Sequence, residues 1–428
     1  MMKLIVHNIK YKNFCLLVLL YVLLNVLFFF TVRELHVFKK ASIGASINYE
    51  FDILKFFLIS LIIFGFILST VFIKVKDFLY SIILLILIFF VIPSAILYSN
   101  IKDLSIGIFT SHSILFISVI VVGKVKIRFN SKTVGIRLAK KVLMLTILIG
   151  LLPFLILYSP YLNFKNLILI DIYETRAIMS NAVNNIYVNY TYSWFNKILI
   201  PLLIVFGVYH RNKLTVLISV FSLIFLFLCG AHKAVFVGMI MVLVLYKHEY
   251  LKKMYYFIKF ILFITISSLF FSIIFDFDYI TVMTIRRTLF LPSLLDVLYF
   301  DFFKNNYIYW SETFNGLFYD YPYEYAHSYI IGDNYFNSIV WAANNGIISD
   351  GYMNWGYIGV IINCIILGFY FSFLNQLNIS SKFFGIYFLF FFVLISSALP
   401  SALLTHGGLL LLFVSFYLLK NTANTMDA

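Results

Sequence analysis

The chain has 428 residues, of which 63% are hydrophobic and 12% charged, and its mean hydropathy is +0.99. Soluble domains sit near half apolar and a quarter charged, so a soluble fold is excluded and most of this apolar surface must face lipid or other buried helices. The net charge of +14 comes with no basic, aromatic-interleaved soluble face, so nucleic acid is not an expected partner, and the excess reads as the positive-inside bias of a membrane protein.

A bilayer core of roughly 30 Å needs about 20 apolar residues in a helix. On that measure the sequence predicts about twelve spans, at 14–32, 53–73, 78–99, 105–123, 139–158, 196–210, 213–230, 232–246, 255–275, 353–374, 382–400 and 402–419. The expected fold is an all-α polytopic transmembrane bundle. Nine spans fall in 1–275, a large, partly helical extracytoplasmic loop fills 276–352, and three spans and a cytoplasmic tail fill 353–428. The first apolar stretch is followed by Arg33-Glu34-Leu35-His36, not by a small-residue cleavage site, so it reads as a retained helix. Cys15, Cys229 and Cys364 all lie in or at the ends of apolar stretches, so neither disulfides nor a cysteine metal site is expected.

Sidedness follows from Lys and Arg. Residues 124–141 hold seven basic side chains (Lys124, Lys126, Arg128, Lys132, Arg137, Lys140, Lys141) and no acid, and are expected in the cytoplasm. Counting spans in both directions puts Lys3, Arg211–Lys213, Lys247, Lys382 and Lys420 on that side too. Both termini are therefore expected in the cytoplasm, with 159–195 and 276–352 as long outer loops.

The loop 276–352 differs in composition from everything around it. It holds nine of the eighteen acidic residues, three basic ones (Arg286, Arg287, Lys304), eleven tyrosines and two tryptophans. Tyr and Trp beside carboxylates suit sugars, whose C–H faces stack on rings while their hydroxyls bond to acids and amides. Tyr319-Asp320-Tyr321-Pro322-Tyr323-Glu324-Tyr325 has that character. An aromatic interfacial belt is the plain alternative. Arg286 and Arg287 follow the ninth span by about ten residues and carry the permanent, forked charge that suits phosphate; pairing with Asp276 or Asp278 is the structural alternative. His232 and Lys233 interrupt an apolar hairpin, and Arg176 stands near Asp171 and Glu174 in the other long loop. His327 is the one histidine of the large loop and has the intrinsic pKa of a general base. Asp276-Phe277-Asp278 and Glu50-Phe51-Asp52 offer paired acids at a spacing too common to define a metal site. No phosphate-cradling Gly-rich loop, zinc spacing or nucleophile elbow is present.

Four stretches carry a resemblance: Cys229-Gly230-Ala231-His232-Lys233; Thr284-Ile285-Arg286-Arg287-Thr288 followed by Pro292 and Tyr299-Phe300-Asp301-Phe302-Phe303; Asn334-Tyr335-Phe336-Asn337; and Ser349-Asp350-Gly351-Tyr352-Met353-Asn354-Trp355-Gly356-Tyr357-Ile358-Gly359. With the late large loop, they resemble the Wzy-type O-antigen polymerases, or oligosaccharide repeat unit polymerases. The likeness covers roughly 225–375 in detail and the rest by hydropathy. Lys233 stands where the family often has Arg. The resemblance implies a bacterial inner-membrane glycosyltransferase that joins undecaprenyl-diphosphate-linked repeat units into O-antigen or capsule, without a cofactor or a metal. It implies Arg286, Arg287 and His327 as catalytic residues. Lys233, His232, Arg176, Asp301, Glu324, Asp333 and Tyr335 would then bind substrate. Expected partners are the lipid-linked oligosaccharide, membrane lipid, and a chain-length regulator and flippase of the same pathway. The competing readings are a lipid-linked oligosaccharide flippase, which would favour two similar halves and charges in a cavity, and an O-antigen ligase.

Overall fold

A computed structural model describes residues 2–45, 47–126, 134–168, 170–314, 316–317, 319–344 and 346–426. Arg128 and Lys132 of the basic cluster lie outside the described residues. Those described are helical, with no strand among them. Nine helices among the described residues are long and apolar enough to cross a membrane: Val6–Glu34, Ile53–Phe72, Asp77–Asn100, Leu138–Tyr161, Ile186–Tyr209, Lys213–Gly230, Tyr250–Phe275, Ile347–Gln376 and Leu399–Leu419. This is the architecture of a multi-pass membrane protein. Ile106–Val122, Ala234–Val244 and Ser381–Leu394, where three more spans are expected, are shorter apolar helices. The span expected at 196–210 is the second half of a helix that starts at Ile186. Its first turn is capped by Asn185, whose side chain accepts from the Tyr187 amide at 3.0 Å. Its Tyr- and Thr-rich beginning is too polar for hydropathy to register, so the loop expected over 159–195 ends ten residues early.

The chain forms two compact units. The first comprises Met1–Lys126, Tyr250–Asn375 and Leu394–Leu399. Its centre is Asp77–Asn100, which is apolar all round and wholly buried, as a helix of that pattern must be. Ile53–Phe72, Tyr250–Phe275 and Leu291–Phe303 surround it, and the N-terminal helix lies along Tyr250–Phe275. Ile53–Phe72 buries only one side, leaving Leu54, Phe57, Leu61 and Phe64 exposed in the manner of a lipid-facing helix. Asp52 caps it, its carboxylate accepting from the amides of Leu54 and Lys55 at 2.9 and 3.0 Å, which satisfies two of the free donors of the first turn.

Four π-helical turns occur among the described residues, at Leu87–Val91, Phe195–Leu199, Val282–Phe290 and Ser415–Leu419. The first three are each followed within two residues by a proline, Pro93, Pro201 or Pro292. Proline has no N–H for the carbonyl four residues back. Here those carbonyls belong to Phe89, Lys197 and Thr288, each inside its π turn. The missing bond favours the wider turn at these three places, and π turns often accompany functional side chains.

The helix expected at 353–374 is preceded by a short one. Ile347–Gln376 is broken at Trp355 (φ −142°, ψ 22°) and Gly356 (φ 58°, ψ −143°), so 347–354 turns back on the long helix that follows. Gly356 takes a left-handed φ that side chains resist. The two arms meet backbone to backbone, since a Cβ on Gly359 would lie 2.0 Å from the Gly351 carbonyl oxygen. Residues 347–352 therefore belong to this hairpin, and the polar segment before it contains the helices Leu291–Phe303 and His327–Phe336.

The second unit comprises Ile127–Glu249, Gln376–Val393 and Pro400–Ala428. Its best-packed pair is Ile200–Tyr209 against Lys213–Gly230. Asn212 caps the second of these, accepting from the Thr215 amide at 3.0 Å. The last predicted span, 402–419, is interrupted: Leu399–Leu403 and Gly408–Val414 are separate helices, and Gly407 between them has φ +84°.

Candidate active site

In the first unit, His327 opens the helix His327–Phe336 and pairs with Glu312 on the preceding segment. The imidazole Nδ1 contacts Glu312 Oε2, and the His327 backbone N–H donates to the same oxygen at 3.3 Å. The two side chains are 16% and 28% exposed, so the pair is shielded yet reachable. Tyr299 stands edge-on to the imidazole, ring centroids 5.8 Å apart, and is fixed by its hydroxyl donating to the Ala343 carbonyl at 2.8 Å. Burial pushes the Glu312 carboxyl up, but the hydrogen bonds and charge of His327 more than offset this and hold it below the ordinary glutamate value. The Tyr321 hydroxyl is pushed up by burial and by Glu312. An imidazole oriented by a carboxylate is the arrangement of a general base. Glu324 and Asp333, expected from the sequence to bind substrate, are exposed and form no hydrogen bond or ion pair with His327. Glu312, which the sequence did not single out, is the carboxylate that orients it.

Arg286 and Arg287 lie on the π turn Val282–Phe290, Arg286 half-buried and Arg287 exposed. Burial and the neighbouring Arg287 press the Arg286 pKa down. Its Nε donates to the Val282 carbonyl at 3.3 Å. Among the described residues neither arginine forms an ion pair, and Asp276 and Asp278 do not neutralise them. No hydrogen bond or ion pair joins them to His327 or Glu312. Two adjacent guanidinium groups with no carboxylate are suited to an external anion.

Asp301 and Tyr335 are brought together. The Tyr335 hydroxyl donates to Asp301 Oδ2 at 2.8 Å, and Lys304 Nζ to Oδ1 at 2.9 Å. Asp301 and Lys304 border a cleft of about 350 Å³ lined also by Asn48, Asp103, Ser105, Phe300 and Tyr357 among others, and Tyr335 reaches it only through its bond to Asp301. Phe300 stacks on Tyr352 with centroids 3.6 Å apart, and the Tyr357 hydroxyl sits against Gly107, where a Cβ would come within 1.9 Å of it. Aromatic faces beside acids and an amide make a surface for a polyhydroxylated ring. Asp103, Asn48 and Ser105 were not legible as parts of it, because they come from a different part of the sequence.

Beneath these lies a buried polar network that hydropathy conceals. Asp350 Oδ2 accepts from Asn363 Nδ2 and from the Leu399 amide, both at 3.0 Å, and Oδ1 accepts from Asn354 Nδ2 at 3.2 Å. Asn354 Oδ1 accepts from the Trp310 amide at 2.6 Å, and the amides of Ile308 and Tyr309 donate to the carbonyls of Met353 and Asn354 at 2.9 and 3.3 Å. The hairpin tip thus holds the segment that leads directly into Glu312. Asp296 Oδ1 accepts from the Ser349 amide at 3.2 Å. His112 Nε2 lies 3.2 Å from Asp296 Oδ2, off the line of a hydrogen bond. The only sequence signal for His112 and Asp296 was a titratable residue inside an apolar run.

In the second unit, Arg176 bonds through Nε and Nη2 to the Ala231 carbonyl at 3.1 and 2.7 Å, which caps the helix Lys213–Gly230. His232 follows, its ring 5.8 Å from that of Tyr192. Partial burial, Arg176 and Lys197 together hold its pKa down. Lys233 is exposed. Arg176 and His232 are thus neighbours, and Lys197 acts electrostatically on the same imidazole.

Among the described residues no group of three or more His, Cys, Asp or Glu is placed to hold a metal ion. Glu50 is engaged with Lys102 at 2.8 Å, and Asp52 with its helix cap. No family model, curated protein or solved structure matches the chain.

Proposed function

We propose that this protein is a membrane glycosyltransferase of the bacterial cytoplasmic membrane. It would polymerise undecaprenyl-diphosphate-linked oligosaccharide units into a surface polysaccharide on the outer face. The carrying observation is the His327–Glu312 pair in the same unit as two arginines that have no carboxylate partner. In this reading His327, oriented by Glu312, takes the proton of an acceptor sugar hydroxyl. The hydroxyl oxygen bonds to the anomeric carbon of the donor. The bond from that carbon to the diphosphate oxygen breaks, and the lipid diphosphate leaves with the electron pair. Arg286 and Arg287 stabilise the charge that develops on it. The cleft beside Asp301 and Tyr335 holds a sugar ring of one of the two substrates. The chain-length regulator and flippase of the pathway are the proposed partners.

The test is the surface glycan of cells lacking this protein. Glycan capped at single repeat units supports the polymerase. Loss of all outer-face repeat units means a flippase, and full-length polymer left on its lipid carrier means a ligase.

A further inference from the structure

The second unit is unusually poor in acid. Its segments carry four Asp and Glu (Asp171, Glu174, Glu249 and Asp427) against fourteen Lys and Arg. One of these cations sits where charge is costly. Lys197 lies eleven residues into the candidate span Ile186–Tyr209, about 16 Å along a helix from its start, and is not exposed. Its ammonium is 3.1 Å from His406 Nδ1, and Ser193 Oγ is 3.2 Å from the same nitrogen. An imidazole nitrogen that accepts from an ammonium belongs to a neutral ring, so His406 supplies no counter-charge. No carboxylate pairs with Lys197 among the described residues. An ionisable side chain inside a membrane segment ordinarily pairs with another or serves a ligand.

The backbone here is irregular on both sides of the pair. Lys197 is the middle residue of the π turn Phe195–Leu199. His406 lies in the break between Leu399–Leu403 and Gly408–Val414, where Trp194 Nε1 donates to the Leu404 carbonyl at 2.8 Å. Non-helical backbone at membrane depth is tolerated where it is buried in protein or lines a cavity. Tyr192, next to Ser193 on the same helix, stands edge-on to His232 with ring centroids 5.8 Å apart, and Arg176 bonds to the Ala231 carbonyl just before His232, so His232 and Arg176 lie close to this end of the Lys197 helix. Arg176 donates to the Ala231 carbonyl at the end of Lys213–Gly230, which offsets part of the negative end of that helix.

We propose that Lys197, His406, Ser193, His232 and Arg176 form an anion site that takes a phosphate group, from a lipid headgroup or from free phosphate. Lys197 supplies the charge, Ser193 a hydroxyl donor, and His232 and Arg176 the surrounding positive field. The inference does not rest on the polymerase reading, because it is read on purified protein without glycan synthesis, and either can fail alone.

The test titrates the purified full chain in phosphatidylcholine nanodiscs with inorganic phosphate, inorganic pyrophosphate and farnesyl diphosphate. Binding is followed by the melting temperature and by ³¹P line broadening. A parallel arm replaces part of the phosphatidylcholine with phosphatidylglycerol and asks whether it competes. Saturable binding is expected, weakened roughly tenfold or more by Lys197→Gln, partly restored by Lys197→Arg, and unchanged by Lys165→Gln. Tighter binding of farnesyl diphosphate than of pyrophosphate identifies a prenyl diphosphate as the source. Competition by phosphatidylglycerol identifies a phospholipid headgroup, and equal binding of the inorganic ions identifies free phosphate. If Lys197→Gln does not fold, His406→Gln and the wild-type titrations carry the test. No saturable binding of any probe to the wild type, or unaltered binding in the folded Lys197 and His406 variants, overturns the proposal.

Discussion

Replacing Gly359 by alanine tests whether the hairpin 347–376 holds the candidate site in place. The new Cβ would lie 2.0 Å from the Gly351 carbonyl oxygen and 3.1 Å from Trp355 Cβ. To reach even a tight 3.0 Å the two arms must part by roughly 1 Å. The bonds from Asn363 Nδ2 to the Ile347 carbonyl and to Asp350 Oδ2, both 3.0 Å, cross that gap and would exceed hydrogen-bonding distance. Losing two buried bonds, one to a carboxyl group, costs about 1–3 kcal/mol each, and overpacking adds about 1–3 kcal/mol. The expected loss is about 3–9 kcal/mol, comparable with the whole margin of a marginally stable protein. Function should suffer as well, because Asn354 at the tip anchors the Trp310 amide just before Glu312. The assay is thermal unfolding in detergent followed by tryptophan emission, since Trp355 lies in the hinge and Trp310 packs against it, together with glycan length in cells and protein amount. A Gly359→Ala protein with wild-type melting temperature and wild-type emission would refute the reasoning.

Four other outcomes follow from the site. Glu312→Gln keeps an acceptor for His327 but removes the charge, and should slow polymerisation roughly 10- to 100-fold at normal protein levels. Glu312 is held below its ordinary value of 4.5, so its contribution to stability is fully present above that value and fades as pH falls through its folded value; a wild-type-minus-variant stability difference that persists in more acidic solution contradicts this. Arg286→Gln with Arg287→Gln should cost about 2–4 kcal/mol in the barrier, roughly 30- to 1,000-fold in rate, with Lys partly rescuing; normal long-chain polymer in the double variant removes the phosphate role. Asp301→Asn with Tyr335→Phe should shorten polymer without lowering protein amount, whereas unchanged glycan would mean that the cleft binds no substrate. Impermeant thiol reagents on intact spheroplasts should label Asp320→Cys and spare Lys124→Cys, both exposed positions, and the reverse pattern inverts the proposed sidedness.

Hydropathy made the all-helical membrane architecture legible because a long apolar run has few other solutions in water or lipid. It failed at helix ends for two reasons. Ile186–Trp194 is helical but polar, so its start was hidden. The 347–354 arm is polar because it packs against another backbone and buries Asp350 and Asn354, and its reversal was written only in Trp355-Gly356. Of the site, Arg286, Arg287, His327, Asp301 and Tyr335 could be picked out as unusual residue types in an acidic, aromatic segment. Their partners could not. Glu312 was one carboxylate among nine in the segment 276–352, and only folding brings it under His327. Lys197 and His406 are 209 positions apart and each looks like an isolated intruder in an apolar run. Pro93, Pro201 and Pro292 were visible throughout. They did not mark the π turns by themselves, because Pro153 stands in a span with no π turn and Ser415–Leu419 has no proline after it.

The three short apolar helices decide a matter of parity. Ile106–Val122, Ala234–Val244 and Ser381–Leu394 have 17, 11 and 14 residues, or about 26, 17 and 21 Å of helix, against a hydrocarbon core of roughly 30 Å. If only the nine long helices traverse the bilayer, the chain crosses an odd number of times and its two ends lie on opposite faces. If all three short ones traverse as well, the number is even and the ends share a face. A short helix can cross only where the bilayer thins around it or neighbouring protein completes the path. The sidedness of the last residues is therefore governed by membrane thickness at three places far from them in sequence. A reporter fused after Ala428, compared with one fused before Met1, reads that parity directly.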